Sequence, residues 1–225
     1  MTFAAFCQKY KLTKKQLFAE FYDLFEDTIE VKNKSIAVDK LAKIITATFS
    51  LSANQSFANM SLRELSKETD ISMGGLYAYI KNKQQLALYI HKFLNYYADK
   101  VILDIESKNT ENTLILLIKA HVFLSEILQP WFFFAFMESK NLDKNQKKLA
   151  INSELSVENK IILAINEGMQ KHLYNPELDA ETIASLIKPM LHDWYLKRWK
   201  YKQRQIDCDS YCSSMIKFIE YGIKI

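Results

Sequence analysis

The segment Ser72-Met73-Gly74-Gly75-Leu76-Tyr77-Ala78-Tyr79-Ile80-Lys81-Asn82-Lys83 gathers groups suited to one kind of chemistry, the binding of anionic oxygens. Hydroxyls at Ser72, Tyr77 and Tyr79 and the ammonium of Lys83 are donors, and the free N–H groups of a helix start add more. Gly74 and Gly75 are two of only 4 glycines in the chain, and each costs roughly 1 kcal/mol of helix propensity relative to Ala. Two accounts of the pair stay open. Missing side chains let a helix start approach a phosphate or base edge closely; a helix-helix contact or a loose capping turn explains the pair equally well.

No comparable set supports catalysis. His91, His121, His172 and His192 stand in no HExxH, Ser/His/Asp or paired-carboxylate context, so no catalytic residue, cofactor or metal is expected. Cys208 and Cys212 share a helix face, but no His/Cys pair completes a metal site, and with Cys7 they read as structural thiols.

Two short helices position the anion-binding groups. Ser61 with Glu64 reads as a capping box that opens a helix over 61–69 and buries Leu62 and Leu65. Asp70-Ile71-Ser72 is a tight turn with Ile71 as its apolar plug, and Ser72 caps a second helix over 73–80. This is the pattern of a helix-turn-helix. In detail the segment from Ser61 to Leu86 resembles the DNA-binding signature of TetR-family transcriptional regulators, with Ser72, Gly74, Leu76, Tyr77, Tyr79, Lys83 and Leu86 in register without a gap. Upstream, Leu41, Ile44 and Phe49 resemble the family's first helix, and Phe57 the aromatic before its second. The chain departs from the pattern at four places. Asp70 replaces a turn glycine, Gly75 a Thr or Ser that often contacts DNA, and Ile80 an aromatic, while the stretch between Phe49 and Phe57 is longer and lacks a glycine.

The resemblance implies that 73–80 is a recognition helix entering the major groove of a double-stranded operator. Tyr77, Tyr79 and Lys83 become phosphate contacts, Ser61 and Arg63 join them from the preceding helix, and Ser72 and Met73 reach bases beside Gly74 and Gly75. It further implies a homodimer, an unknown small-molecule effector and transcriptional control of the repressor type.

Composition agrees. With 4 Gly and 3 Pro in 225 residues, turn-rich β-folds and glycine-fingerprint nucleotide folds are excluded. The net charge of +4 is uneven: residues 35–92 hold 7 Lys/Arg against 4 Asp/Glu, and residues 93–225 hold 17 of each. No apolar run reaches the roughly 18 residues of a membrane span, and the N-terminus lacks the features of a signal peptide, so a cytoplasmic protein with no membrane partner is expected.

Apolar spacing is helical throughout, which predicts an all-α chain in three parts. These are an N-terminal helical extension at 1–34, the helix-turn-helix domain at 35–92, and a helical effector-binding and dimerisation domain at 93–225. The second part is expected to hold three short helices over 36–80, with a long helix over 82–106 leading into the third. Polar turns are expected at 107–112, 139–146, 172–179 and 202–209, a helix break at Pro130 and a kink at Pro189. Helices near 180–201 and 207–222 occupy the family's dimer position, where Leu186, Met190, Trp194, Met215, Phe218 and Ile219 serve either a dimer interface or an internal core. Tyr97, His121, Trp131, Phe134 and Trp194 are candidates to line an apolar effector pocket, with Glu126 or Asp193 orienting a ligand, although an ordinary aromatic core is the competing reading. The rival function is a helical interaction protein that keeps the headpiece but acts through a protein partner.

Overall fold

The computed structural model describes residues 1–10, 13–107 and 113–224, and among them there is no β-strand. Most of the expected turn at 107–112 lies outside the described residues. The helices are α1 (Phe3–Tyr10), α2 (Lys14–Phe25), α3 (Lys34–Gln55), α4 (Leu62–Thr69), α5 (Met73–Tyr77) and α6 (Lys83–Glu106). They continue with α7 (Thr113–Ile127), α8 (Gln129–Glu138), α9 (Lys144–Gln170), α10 (Ala180–Leu196), α11 (Arg198–Gln203) and α12 (Cys208–Ile223). The all-α expectation holds, and no single helix among the described residues is long and apolar enough to cross a membrane.

Helix starts follow their capping residues. Thr13 with Gln16 and Ser61 with Glu64 both close capping boxes, and the carboxylates of Asp179 and Asp207 accept from the amides of Thr182 and Ser210. Asn82 accepts from the Gln85 amide at 2.8 Å, while the Gln85 side chain reaches back one residue further, to the Lys81 amide. Pro130 is the second residue of α8, a position where its missing N–H leaves nothing unpaired. Pro189 lies inside α10, which runs on past it to Leu196.

One element is longer than expected. In place of a short first helix, α3 runs for 22 residues, because 34–55 contains no Gly or Pro and Ala37, Val38, Leu41, Ile44, Ile45 and Thr48 keep burying one stripe. It ends at Ser56, whose φ of 65° and ψ of 151° is a conformation that glycine adopts readily and serine does not. The extra residues after Phe49 are therefore an added helical turn, and Ser56 takes the strained backbone position.

The chain forms two compact units. The headpiece unit comprises Gln8–Asn95 and Pro130–Ala150, and the body unit comprises Met1–Cys7, Tyr96–Gln129 and Ile151–Ile225. The headpiece unit thus contains more than 35–92: most of the N-terminal extension and all but the first residue of α8 pack with the helix-turn-helix. Its centre is aromatic. Trp131 lies 4.9 Å from Phe93, 5.7 Å from Phe21 and 5.2 Å from Phe49, and Phe134 lies 5.0 Å from Phe57. Rings at such separations and tilts exceed their area burial in stability by about 0.5–1.5 kcal/mol per pair.

In the body unit, α10 and α12 pack on α7. Trp194 is fully buried, stacked on Tyr211 at 4.8 Å with the Arg198 guanidinium 4.3 Å over its ring. Arg198 also forks onto both carboxylate oxygens of Glu126, at 2.5 and 2.6 Å. Gly168 on α9 has no alternative there, since a Cβ at that position would lie 2.2 Å from the Tyr174 ring. Trp194, Met215 and Ile219 belong to this core, whereas Leu186 on α10 and Phe218 and Tyr221 on α12 are exposed.

Candidate nucleic-acid interface

The helix-turn-helix is built by reciprocal main-chain capping. Ser61 accepts the Glu64 amide at 3.2 Å and Glu64 accepts the Ser61 amide at 2.8 Å; the Ser61 amide and hydroxyl, both donating to the Glu64 carboxylate, hold it below its usual range. At the other end of α4, Asp70 takes the left-handed conformation, φ 55° and ψ 39°, so it performs the turn for which a glycine is customary. The Ser66 hydroxyl donates to the Ile71 carbonyl at 2.6 Å, and Ile71 is buried as the plug. The turn hands over to Ser72, whose Oγ accepts the Gly75 amide at 3.2 Å and caps α5.

Two glycines with different reasons stand at the start of α5. A Cβ on Gly74 would meet nothing within 4 Å, so no intramolecular contact requires glycine there. A Cβ on Gly75 would fall 3.0 Å from Ile71 Cγ2 and 3.3 Å from Ser72 Oγ, so that position is small because the plug and the cap already fill the space. Packing thus explains the residue that departs from the family pattern, and openness towards solvent marks the one that matches it.

The expected contacts divide accordingly. Ser61, Arg63, Ser72, Gly74 and Tyr77 are exposed on α4 and α5, with Tyr77 at 49%, and Met73 is half-buried. Tyr79 is a correction to the expected phosphate set: its side chain is 4% exposed and burial raises its pKa. The reason is that α5 spans Met73–Tyr77 rather than 73–80. Beyond it the amides of Tyr79 and Ile80 both turn back to the Leu76 carbonyl, which swings these two side chains into the core.

Lys83 is held by the protein. Its Nζ donates to the carbonyls of Ala58 at 2.6 Å and Met60 at 2.8 Å, closing the loop that precedes α4. An ammonium has three donors, so one remains for an anion while two fix the loop. Sequence reasoning missed three further constraints on this unit. Buried Glu138 accepts the Phe57 amide at 3.2 Å across the same loop, Gln146 donates to the Gln84 carbonyl at 2.8 Å, and the Glu30 amide donates to the Ala78 carbonyl just past α5 at 2.9 Å. None leaves a local sequence pattern.

The five candidate pocket residues are not brought together within either unit. Trp131 and Phe134 are headpiece core, which corrects their assignment to a pocket: an all-round apolar helix behind Pro130 buries against other aromatics. Tyr97, His121 and Trp194 lie in the body unit. His121 has its rings' neighbours in His192 at 6.4 Å and Tyr195 at 6.3 Å, and burial pushes its pKa down to about 3, so it is neutral near pH 7. Beside it the nearly buried Lys188 and the ring of His192 both reach Glu154, at 2.9 and 3.1 Å. Burial opposes ionisation of Glu154, but these two partners outweigh it and hold the carboxyl at about 2. Asp193 is engaged by Lys197, Lys200 and Tyr201, and Glu126 by Arg198, so both suggested orienting groups have structural partners.

Comparison with known proteins agrees with this geometry. Residues 44–90 match the family of bacterial regulatory proteins of the tetR type. A search of curated proteins finds no match. Among solved structures, the ketosteroid transcriptional regulator KstR2 of Mycobacterium tuberculosis is similar with a TM-score of 0.73 at 13% identity, over 81% of this chain and 94% of that one. The regulator FadR from Bacillus subtilis in complex with stearoyl-CoA gives 0.63 at 18% identity, over 81% and 99%. A transcriptional regulator from Saccharomonospora viridis in complex with choline gives 0.65 at 15%, over 81% and 96%. The capped, glycine-opened helix pair therefore lies within the stretch that matches the tetR family model, in a chain that shares the fold of these solved structures.

Proposed function

We propose that the protein is a sequence-specific, non-enzymatic regulator of transcription that represses by occupying an operator as a homodimer in the cytoplasm. The carrying observation is the start of α5, where Ser72 caps the helix, Gly74 leaves the backbone open, and Tyr77 stands exposed beside it. In this reading Ser72 and Met73 reach base edges, and Ser61, Arg63, Tyr77 and the spare donor of Lys83 reach phosphates. The exposed Leu186, Phe218 and Tyr221 supply apolar surface through which α10 and α12 pair with a second copy.

Control by a bound effector is supported by the two similar structures that hold stearoyl-CoA and choline, and in this reading the effector is small and mostly apolar and sits in the C-terminal domain. Tyr97, His121 and Trp194, on α6, α7 and α10, are the remaining pocket candidates. Selection of bound duplexes from a random pool tests the reading. The expected product is a near-palindrome whose half-sites lie about one helical turn, 34–36 Å, or a multiple of it apart. Failure to enrich any duplex overturns it.

A further inference from the structure

Residues 151–160 of α9 belong to the body unit, and polar side chains tie them to it. None of the ten is buried, whereas Ile161, Ala164 and Ile165 further along the same helix are. Ser185 Oγ of α10 donates to Glu158 Oε1 at 2.9 Å. Glu154 Oε1 accepts from two groups of α10 at once, Lys188 Nζ at 2.9 Å and His192 Nε2 at 3.1 Å.

The two ends of the Lys188–Glu154 pair have different surroundings. The Lys188 side chain is 5% exposed and that of Glu154 49%. Beside the pair the rings of His121, His192 and Tyr195 cluster with centroids 5.8–6.4 Å apart, and the charge of Lys188 adds to burial in lowering the His121 pKa. A buried ammonium requires a counter-charge, but nothing requires that the counter-charge belong to the chain. Glu154 supplies it from the solvent side, on a stretch of helix whose release exposes no buried side chain of its own.

We infer that Lys188 and His192 are the seat for the charged end of the effector, a carboxylate on an apolar body, and that Glu154 occupies this seat until the effector displaces it. The seat is formed as it stands: an ammonium and an imidazole N–H, one helical turn apart on α10, converge on a single carboxylate oxygen. One negative charge balances the one ammonium, whereas a phosphate dianion brings a second charge with no partner. The neighbouring rings offer the apolar body its surface. On displacement Glu154 turns into water, and residues 151–160 lose their tie to Lys188 and His192. The inference rests on reading the C-terminal domain as effector-binding.

The test titrates the full chain with decanoate, 1-decanol and decyl phosphate by calorimetry, below their aggregation concentrations, in the wild type and in Lys188→Met and Glu154→Gln. Decanoate should bind the wild type roughly tenfold or more tighter than decanol, with decyl phosphate weaker than decanoate. Glu154→Gln removes the internal competitor and should tighten decanoate by roughly three- to tenfold, while Lys188→Met should abolish the preference over decanol. Amide hydrogen exchange over 151–160 should quicken when decanoate saturates the wild type, and be already quick and indifferent to decanoate in Glu154→Gln. Equal binding of decanoate and decanol, decyl phosphate as tight as decanoate, or a preference that survives Lys188→Met overturns the inference. So does the failure of decanoate to bind both the wild type and Glu154→Gln, and this last arm decides alone should Lys188→Met fail to fold. Duplex binding is read separately on a duplex enriched by the wild type: decanoate seated at Lys188 without effect on it supports the seat and overturns only the control of DNA binding.

Discussion

Alanine placed at Gly74 and at Gly75 should move stability in opposite directions and move DNA binding independently of it. At Gly74 the new methyl enters open space within a helix, so the protein gains the propensity difference, about 0.5–1 kcal/mol, largely by restricting the unfolded chain. That corresponds to an increase of roughly 1–4 °C in Tm for a chain of this size. At Gly75 the same gain is set against a methyl 3.0 Å from Ile71 Cγ2 and 3.3 Å from the capping oxygen of Ser72. Overpacking of this kind costs about 1–3 kcal/mol, so the net effect is a loss of roughly 0.5–2 kcal/mol. Duplex binding should fall at least tenfold for Gly74→Ala despite its higher stability, because the methyl occupies the space through which backbone amides approach the DNA. Thermal and urea unfolding followed by circular dichroism supply the first quantity, and fluorescence anisotropy on an enriched duplex the second. Shifts of the same sign for the two variants would refute the packing argument; a Gly74→Ala protein that binds as tightly as wild type would refute close approach.

Further outcomes follow from particular contacts. Ser56→Gly should stabilise the headpiece by about 0.5–1 kcal/mol in urea titration, by relieving a positive φ at the end of α3. Gly168→Ala should destabilise by about 1–3 kcal/mol or more, because its Cβ meets the Tyr174 ring, and Tyr174→Ala in the same chain should return part of the loss. Lys83→Ala should lower affinity by a similar factor on all duplexes and flatten the salt slope by about 0.9, and it should also destabilise the loop whose carbonyls of Ala58 and Met60 it holds. His121, with its folded pKa lowered to about 3, stays neutral while the unfolded chain takes up a proton. Stability should therefore fall as pH drops from 6.5 towards 3, by up to about 1.4 kcal/mol per pH unit, and His121→Leu should lessen that dependence between pH 6 and 4.5, leaving the share of His91, which burial lowers to about 4. The depressed Glu154 adds a loss of the same sign only below about pH 4.5, as its carboxylate takes up a proton.

The parts of this chain that could be read directly are those whose causes lie within three or four residues. Thr13 with Gln16, Ser61 with Glu64, and Asp179 and Asp207 announced helix starts, because a cap and its partner are neighbours in sequence. The same locality made Asp70-Ile71-Ser72 recognisable as a turn and Ser72 as the cap of α5. Legibility stopped where a residue's role depends on how the chain returns. Tyr79 carries the spacing of a phosphate contact, yet the end of α5 at Tyr77 turns it inward. Trp131 and Phe134 carry the composition of a pocket, yet they fill the headpiece.

By itself the sequence determined an all-helical chain and the place, polarity and capping of its helix-turn-helix, through short-range hydrogen bonds and a 3.6-residue apolar period. Tertiary structure decided the rest: that Glu138 closes the loop at Phe57 from 81 residues away, that α2 and α8 complete the headpiece core, and that Gly75 is small because of Ile71 while Gly74 is left open. Periodicity states that a face is buried, but its partner is chosen by packing the whole set of faces together, and that choice has no address in a local run of residues.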